Sequence, residues 1–170
     1  MSTHASLLLG LELTLTLAML VVIVSDAMRY VIPNSLNGAL LLLTGACMFY
    51  LPFDVLWALA AAGIALAVGL GLFSLGFMGG GDVKLLAILI LWTGWGAATL
   101  NFLFLTAIAG GALVILILLM RLFLAPLWLS LFKAKPVPRL LTRKEPVPYG
   151  LAIAFGFLWL LWTGGIPVLH

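Results

Sequence analysis

The sequence has little charge and almost no cysteine, and each shortage excludes a class of protein. Only 8% of its 170 residues are charged, whereas a soluble domain carries about a quarter. So few charges cannot cover a water-facing surface, which excludes a soluble globular domain. The single cysteine, Cys47, excludes an intrachain disulfide and a Cys-x-x-Cys zinc pair. We expect no metal, no other cofactor and no nucleic-acid partner.

Long apolar runs dominate the chain instead, and 65% of the residues are hydrophobic. A membrane β-barrel would show short alternating segments, whereas these runs are continuous and rich in leucine and alanine. The predicted fold class is therefore an all-α membrane protein, with residues 1–170 forming a single bundle of about six transmembrane helices. Each span needs about 20 mostly apolar residues. The predicted spans are 6–25, 36–51, 55–76, 83–99, 102–123 and 149–166.

The basic residues give the orientation of this six-span arrangement. All of them fall in the first, third and fifth connections or at their edges: Arg29, Lys84, Arg121, Lys133, Lys135, Arg139, Arg143 and Lys144. Because cytoplasmic loops carry an excess of lysine and arginine, these connections are predicted to face the cytoplasm and both termini to face outward. The basic loop 125–148 is interpreted as an anchor near anionic lipid headgroups, with substrate docking as the alternative.

Two aspartates stand at the same predicted boundary of the membrane. Asp26 ends the first span and Asp82 precedes the fourth, so both lie on the cytoplasmic side. An ionisable residue in a span costs about 2.5–3.5 kcal/mol and is a functional candidate by default. Two neighbouring carboxyl groups can share a proton and activate water for peptide hydrolysis. The same pair can instead serve an ion or proton pathway, which Glu12 would continue into the first span.

Glycines directly precede the second aspartate. Residues 79–82 read Gly-Gly-Gly-Asp and contain the pattern Gly-x-Gly-Asp. Glycine permits backbone conformations and close approaches that other residues exclude. An extended substrate strand can then pair its backbone beside Asp82. The alternative is a flexible turn between two spans.

Three segments together resemble a known family. Gly-Gly-Gly-Asp-Val-Lys-Leu-Leu at 79–86 resembles the signature of the type IV prepilin peptidases, which are bacterial Gly-x-Gly-Asp intramembrane aspartyl proteases. The segment 26–34 is similar to their first motif, in which an aspartate stands six residues before Ile-Pro-Asn. Pro-Tyr-Gly-Leu-Ala-Ile-Ala at 148–154 resembles their last-span motif.

The resemblance implies an activity and a location. Members of that family cleave a short basic leader from prepilin or pseudopilin precursors at the cytoplasmic face of the bacterial inner membrane. Asp26 and Asp82 match the two catalytic aspartates. The chain lacks the N-methyltransferase region that longer members carry between their first two spans, so it resembles the short, peptidase-only form of tight-adherence pili. The implied partners are the precursor, membrane lipid and the pilus assembly machinery.

The matched motifs also supply supporting residues. Lys84 is expected to stabilise a carboxylate or contact substrate, or else to anchor the helix at the cytoplasmic face. Asn34 either donates to a carbonyl or caps the second helix. Pro148 and the two residues after it either shape the cleft wall or start the last helix. The full supporting set is Gly79, Gly81, Lys84, Arg29, Pro33, Asn34, Pro148, Tyr149 and Gly150.

Overall fold

The computed structural model describes residues 3–131 and 147–169, and this part of the chain consists of six α-helices with no strand. The helices are α1 (Thr3–Arg29), α2 (Asn34–Cys47), α3 (Val55–Ser74), α4 (Gly80–Thr93), α5 (Ala97–Leu131) and α6 (Tyr149–Trp162). The predicted all-α fold is confirmed. The predicted loop 125–148 begins inside α5, and its basic residues at 133–144 lie outside the described residues.

The helices fall into two length classes. α1, α3 and α5 are long and apolar enough to cross a membrane, which makes this a membrane protein. α2, α4 and α6 have 14 residues each. A helix of that length rises about 21 Å, less than the hydrocarbon core of about 30 Å. By length alone, therefore, only three of the helices reach across a bilayer.

The short helices α4 and α6 form the centre of the bundle. α4 packs against α2, α3, α5 and α6, while α6 packs against α1 and α5. Trp92 of α4 is fully buried, and its Nε1 donates a hydrogen bond to Thr44 Oγ1 of α2 at 2.8 Å. Phe102 and Phe157 join α5 to α6 edge to face, with ring centroids 6.0 Å apart. Because protein rather than lipid covers these two helices, their shorter length leaves few polar backbone ends in contact with hydrocarbon.

Two glycines end the fourth helix earlier than the predicted span 83–99. Gly94 has φ 69° and Gly96 has φ 134°, conformations that favour glycine. α4 therefore stops at Thr93, and α5 begins at Ala97 instead of residue 102. The sequence predicts a break at 94–96 but not its extent, because hydropathy does not reveal backbone dihedrals.

The chain turns sharply at the end of α1. Tyr30 has φ 55°, in the left-handed region, and its N–H donates to Asp26 O at 2.9 Å. Ser25 Oγ donates to Val31 O at 2.7 Å. Pro33, with extended backbone, is the N-cap of α2 and Asn34 is its first helical residue, so Asn34 does not cap α2. This turn directs Ile32 into the bundle, where it is buried.

A missing side chain lets α3 and α4 approach closely. A Cβ at Gly69 would lie 2.7 Å from Val83 Cγ1 and 3.3 Å from Cγ2. A contact of that length is a steric clash, so only glycine fits at this crossing. Val83 adjoins Asp82, and the crossing therefore helps to place the start of α4.

Candidate active site

Asp26 faces the beginning of α6. Its side chain lies one turn before the end of α1 and is only 4% exposed. The backbone amides of Gly150 and Leu151 lie beside its carboxyl group, where a helix N-terminus carries partial positive charge. Its Oδ2 is buried and has no hydrogen-bond partner within the described residues. A buried oxygen without a partner is costly, so this atom is poised to bind a proton or a donor.

Gly150 is the residue that permits this approach. A Cβ at position 150 would lie 2.7 Å from Asp26 Oδ2 and 3.0 Å from Asp26 Cγ. Any other side chain would push the carboxyl group away from the helix end. The motif at 148–154 therefore contributes a close contact to the site, while Pro148 is the N-cap of α6 and Tyr149 its first residue.

Asp82 lies in the first turn of α4 and is 9% exposed. Its Oδ2 accepts the N–H of Gly79 at 3.2 Å, which closes the turn onto the carboxyl group. The glycines at 79–81 have no positive φ. Their contribution in this structure is close packing, not an unusual backbone conformation.

Ile32 packs between the beginnings of α4 and α6. A Cβ at Gly81 would lie 3.2 Å from Ile32 Cβ, and one at Gly150 would lie 3.0 Å from Ile32 Cδ1. Each of the three sequence motifs thus contributes one residue to the same contact. Both glycines are among the supporting residues predicted from the sequence, whereas Ile32 is not. Its place in Ile-Pro-Asn was the available signal.

The structure brings the two aspartates to one end of the bundle. Asp26 on α1 and Asp82 on α4 carry carboxyl groups that are close enough to interact electrostatically. Both are buried, and the N-terminus of α6 borders the site. Residues 3–131 and 147–169 contain no group of three or more His, Cys, Asp or Glu arranged to hold a metal ion.

Asn37 is a further residue beside Asp82, and it is not among the residues predicted from the sequence. It is 3% exposed, and its Nδ2 donates to Gly81 O at 3.1 Å, one residue before Asp82. Its Oδ1 is buried and unpartnered in the described structure. The signal in the sequence was an amide placed three residues after Asn34 in an otherwise apolar helix.

The predicted charged and polar supporting residues lie farther out. Lys84 Nζ donates to Asn34 Oδ1 at 3.0 Å, and both side chains are exposed. Asn34 is therefore an acceptor in this contact, not a donor. Arg29 is exposed at the end of α1, and Pro33 is partly buried. The glycines 79, 81 and 150 are the supporting residues closest to the carboxyl groups.

A comparison with protein families matches the part of the chain that contains the first two motifs. The model of the type IV leader peptidase family matches residues 13–115, more than half of the chain. The matched region includes Asp26, Ile32, Gly81 and Asp82 and ends before Gly150. No curated protein and no solved structure matches the chain. The chain therefore belongs to the type IV leader peptidase family, whose substrates are prepilin-type precursors.

Proposed function

We propose that the protein is an aspartyl endopeptidase that removes the short basic leader from prepilin-type precursors, with Asp26 and Asp82 activating water. The observation that carries this proposal is that two buried carboxyl groups, from α1 and α4, lie close enough to interact electrostatically beside the N-terminus of α6.

The chemistry needs one ionised and one protonated carboxyl group. Two carboxylates in close proximity do not easily ionise together, so the pair is expected to hold one proton and to titrate as a unit. The ionised group takes a proton from water while the water oxygen attacks the scissile carbonyl carbon. The protonated group polarises that carbonyl, and a proton passes to the leaving amine as the C–N bond breaks. The proton that the ionised group took from water is the one that passes to the amine, so the pair again holds one proton.

The environments of the two carboxyl groups suggest a division of roles. Asp82 Oδ2 already accepts the Gly79 N–H. Asp26 Oδ2 has no hydrogen-bond partner among the described residues and lies against Gly150. A water molecule donating to Asp26 Oδ2 would satisfy this oxygen. We therefore assign the general base to Asp26 and the proton-bearing role to Asp82.

The cytoplasmic face of the bacterial inner membrane is the proposed location. Arg29 and Lys84 stand at the same end of the bundle as the two aspartates, and basic residues mark the cytoplasmic side. On this basis both termini face outward. Only residues 30–33 separate α1 from α2, which leaves no room there for an N-methyltransferase region. The short, peptidase-only form associated with tight-adherence pili fits this connection, and the pilus assembly machinery is the proposed partner.

The test is to replace each aspartate by its amide. Asp26→Asn and Asp82→Asn preserve shape but remove the proton-transferring oxygen, so each variant should lower cleavage of a cognate precursor in membranes by roughly 100-fold or more. Gel mobility of the precursor and mature forms measures cleavage. Asp54→Asn is the matched control, because Asp54 is exposed and makes no capping hydrogen bond. Full processing by either site variant, at normal membrane abundance, would refute the carboxyl pair.

A further inference from the structure

An apolar groove runs along α4 between α2 and α3, and it encloses about 520 Å³. Leucines and an isoleucine form its walls, and small residues widen it. Its polar groups come from Asn34, Asn37 and Lys84. The other lining residues are Gly38, Leu41, Leu59, Ala62, Gly63, Leu66, Ala87, Ile88 and Leu91.

The groove is continuous with the catalytic site. Asn37 lines the groove and also donates to Gly81 O, next to Asp82. Lys84 stands two residues beyond Asp82 on the same helix. From Lys84 to Leu91 the groove follows α4 for about 10 Å. A chain that lies in the groove would therefore pass directly to the two carboxyl groups.

One buried atom identifies the chemical class of the occupant. The carbonyl of Gly81 can only accept, so the amide nitrogen of Asn37 must face it and Oδ1 must point elsewhere. That Oδ1 is buried without a partner in the described part of the chain. It needs a donor, and the N–H groups in the first turn of a helix or in an extended strand are free to donate. An acyl chain has no donor, although lipid oxygens would satisfy Lys84.

We propose that this groove binds an apolar segment of the substrate adjoining the scissile bond, with Asn37 Oδ1 accepting one of its backbone N–H groups. The apolar walls take its side chains, and Lys84 Nζ has further hydrogens to donate to a substrate carbonyl. This inference rests on the proposed peptidase function and adds a location for the substrate chain.

Filling the groove tests the inference by kinetics. Gly63 and Gly71 both lie on α3 with no atom within 4 Å of an added Cβ, but only Gly63 lines the groove. Gly63→Leu should therefore fold normally and raise the KM for a full-length precursor by roughly tenfold or more, because it occupies the volume of a substrate side chain. Gly71→Leu is the matched control and should retain the parental KM. Equal KM values for the two variants would overturn the inference.

Cross-linking supplies a readout that does not depend on turnover. Two variants are made in the Asp82→Asn background, each with one photoreactive residue. One replaces Leu41, which lines the groove, and the other replaces its exposed neighbour Leu42, which does not. Irradiation with full-length precursor should give an adduct from position 41 and none from position 42. Equal adducts from both positions, or an adduct to lipid alone from position 41, would overturn the inference. If the aspartate variants are inactive but the KM or the cross-linking result goes against the groove, then the groove proposal is rejected and the proposed catalytic role of the two aspartates is retained.

Discussion

At the residue scale, the closest contacts of the site are made by glycines. The sequence indicates that glycine beside Asp82 permits special dihedrals or a close approach. The structure favours the close approach, because residues 79–81 have no positive φ. A Cβ added at Gly81 would lie only 3.2 Å from Ile32 Cβ. Gly150 does the same for Asp26. The absence of a Cβ is thus what fixes the carboxyl positions.

Replacing Gly150 should therefore impair catalysis more than folding. In Gly150→Ala the new Cβ would meet Asp26 Oδ2 at 2.7 Å, so the carboxyl group must shift. Misplacement by about 1 Å can cost on the order of 100-fold in rate, and we expect that loss in kcat for precursor cleavage. Gly111→Ala is the control, because an added Cβ there meets nothing within 4 Å.

Thermal unfolding in detergent separates a catalytic effect from a folding defect in these two variants. Gly150→Ala should unfold within a few degrees of the parent while losing activity. Parental kcat in Gly150→Ala would show that Asp26 does not need the close approach to α6.

The sequence singles out Asp26, Asp82 and the glycines beside them, whereas it does not single out Ile32 or Asn37. Asp26 and Asp82 stand out because charge is rare in this chain. Ile32 is one apolar residue among many, and only its position against Gly81 and Gly150 distinguishes it. Asn37 is placed at the site by its hydrogen bond to Gly81 O, which is 44 residues away in the sequence. Local patterns do not contain such long-range contacts.

At the scale of the elements, the number of helices could be predicted and their packing could not. The sequence predicts six apolar segments and the described residues form six helices, but α4 ends at Thr93 because Gly94 adopts φ 69°. α4 and α5 are both strongly apolar, so hydropathy cannot show that α4 is central and α5 largely exposed to lipid. That distinction follows from which faces pack, as at the crossing of Gly69 and Val83.

This crossing gives a prediction about stability. Gly69→Ala places a Cβ 2.7 Å from Val83 Cγ1, and overpacking of this kind lowers the free energy of unfolding by about 1–3 kcal/mol. Gly71→Ala, two residues along the same helix and in open space, should not lower stability and should raise it by up to about 1 kcal/mol through helix propensity. Denaturant unfolding in detergent micelles measures both variants.

A second substitution at the crossing checks the cause. Val83→Ala removes the clashing methyl groups, so Gly69→Ala should cost less stability in the Val83→Ala background than in the parent. The coupling free energy of this double-mutant cycle should be about 0.5–3 kcal/mol. Strict additivity of the two substitutions would mean that Gly69 and Val83 do not limit the approach of α3 to α4.

At the scale of the whole molecule, α4 and α6 start at the same end of the bundle, beside the end of α1. This arrangement places Asp82, Gly150 and Asp26 together. Long helices surround the two short ones, so protein packing provides the environment for their ends. α2 is different, because it has 14 residues yet buries few of them. Whether α2 crosses the membrane therefore decides the six-span topology.

The accessibility of single cysteines to a labelling reagent tests directly whether α2 crosses the membrane. Cys47→Ser removes the only cysteine, and new ones are placed singly at Met28, Tyr50 or Phe77, all of which are exposed. In the proposed orientation, Arg29 and Lys84 lie on the cytoplasmic side, so Met28→Cys and Phe77→Cys should react with an impermeant maleimide only in inverted vesicles. Tyr50→Cys, between α2 and α3, should react only in intact spheroplasts.

The pair Met28→Cys and Tyr50→Cys is decisive, since only the turn after Met28 and α2 separate them. Labelling from opposite sides would mean that a helix rising about 21 Å joins the two faces, with the adjoining turns completing the crossing. Labelling from the same side would make α2 re-entrant. With α2 re-entrant, α3 would still cross the membrane. Phe77 and Asp82 would then lie on the opposite face of the membrane from Asp26. The structure places the two carboxyl groups close enough to interact electrostatically, so we expect α2 to cross the membrane and the two positions to be labelled from opposite sides.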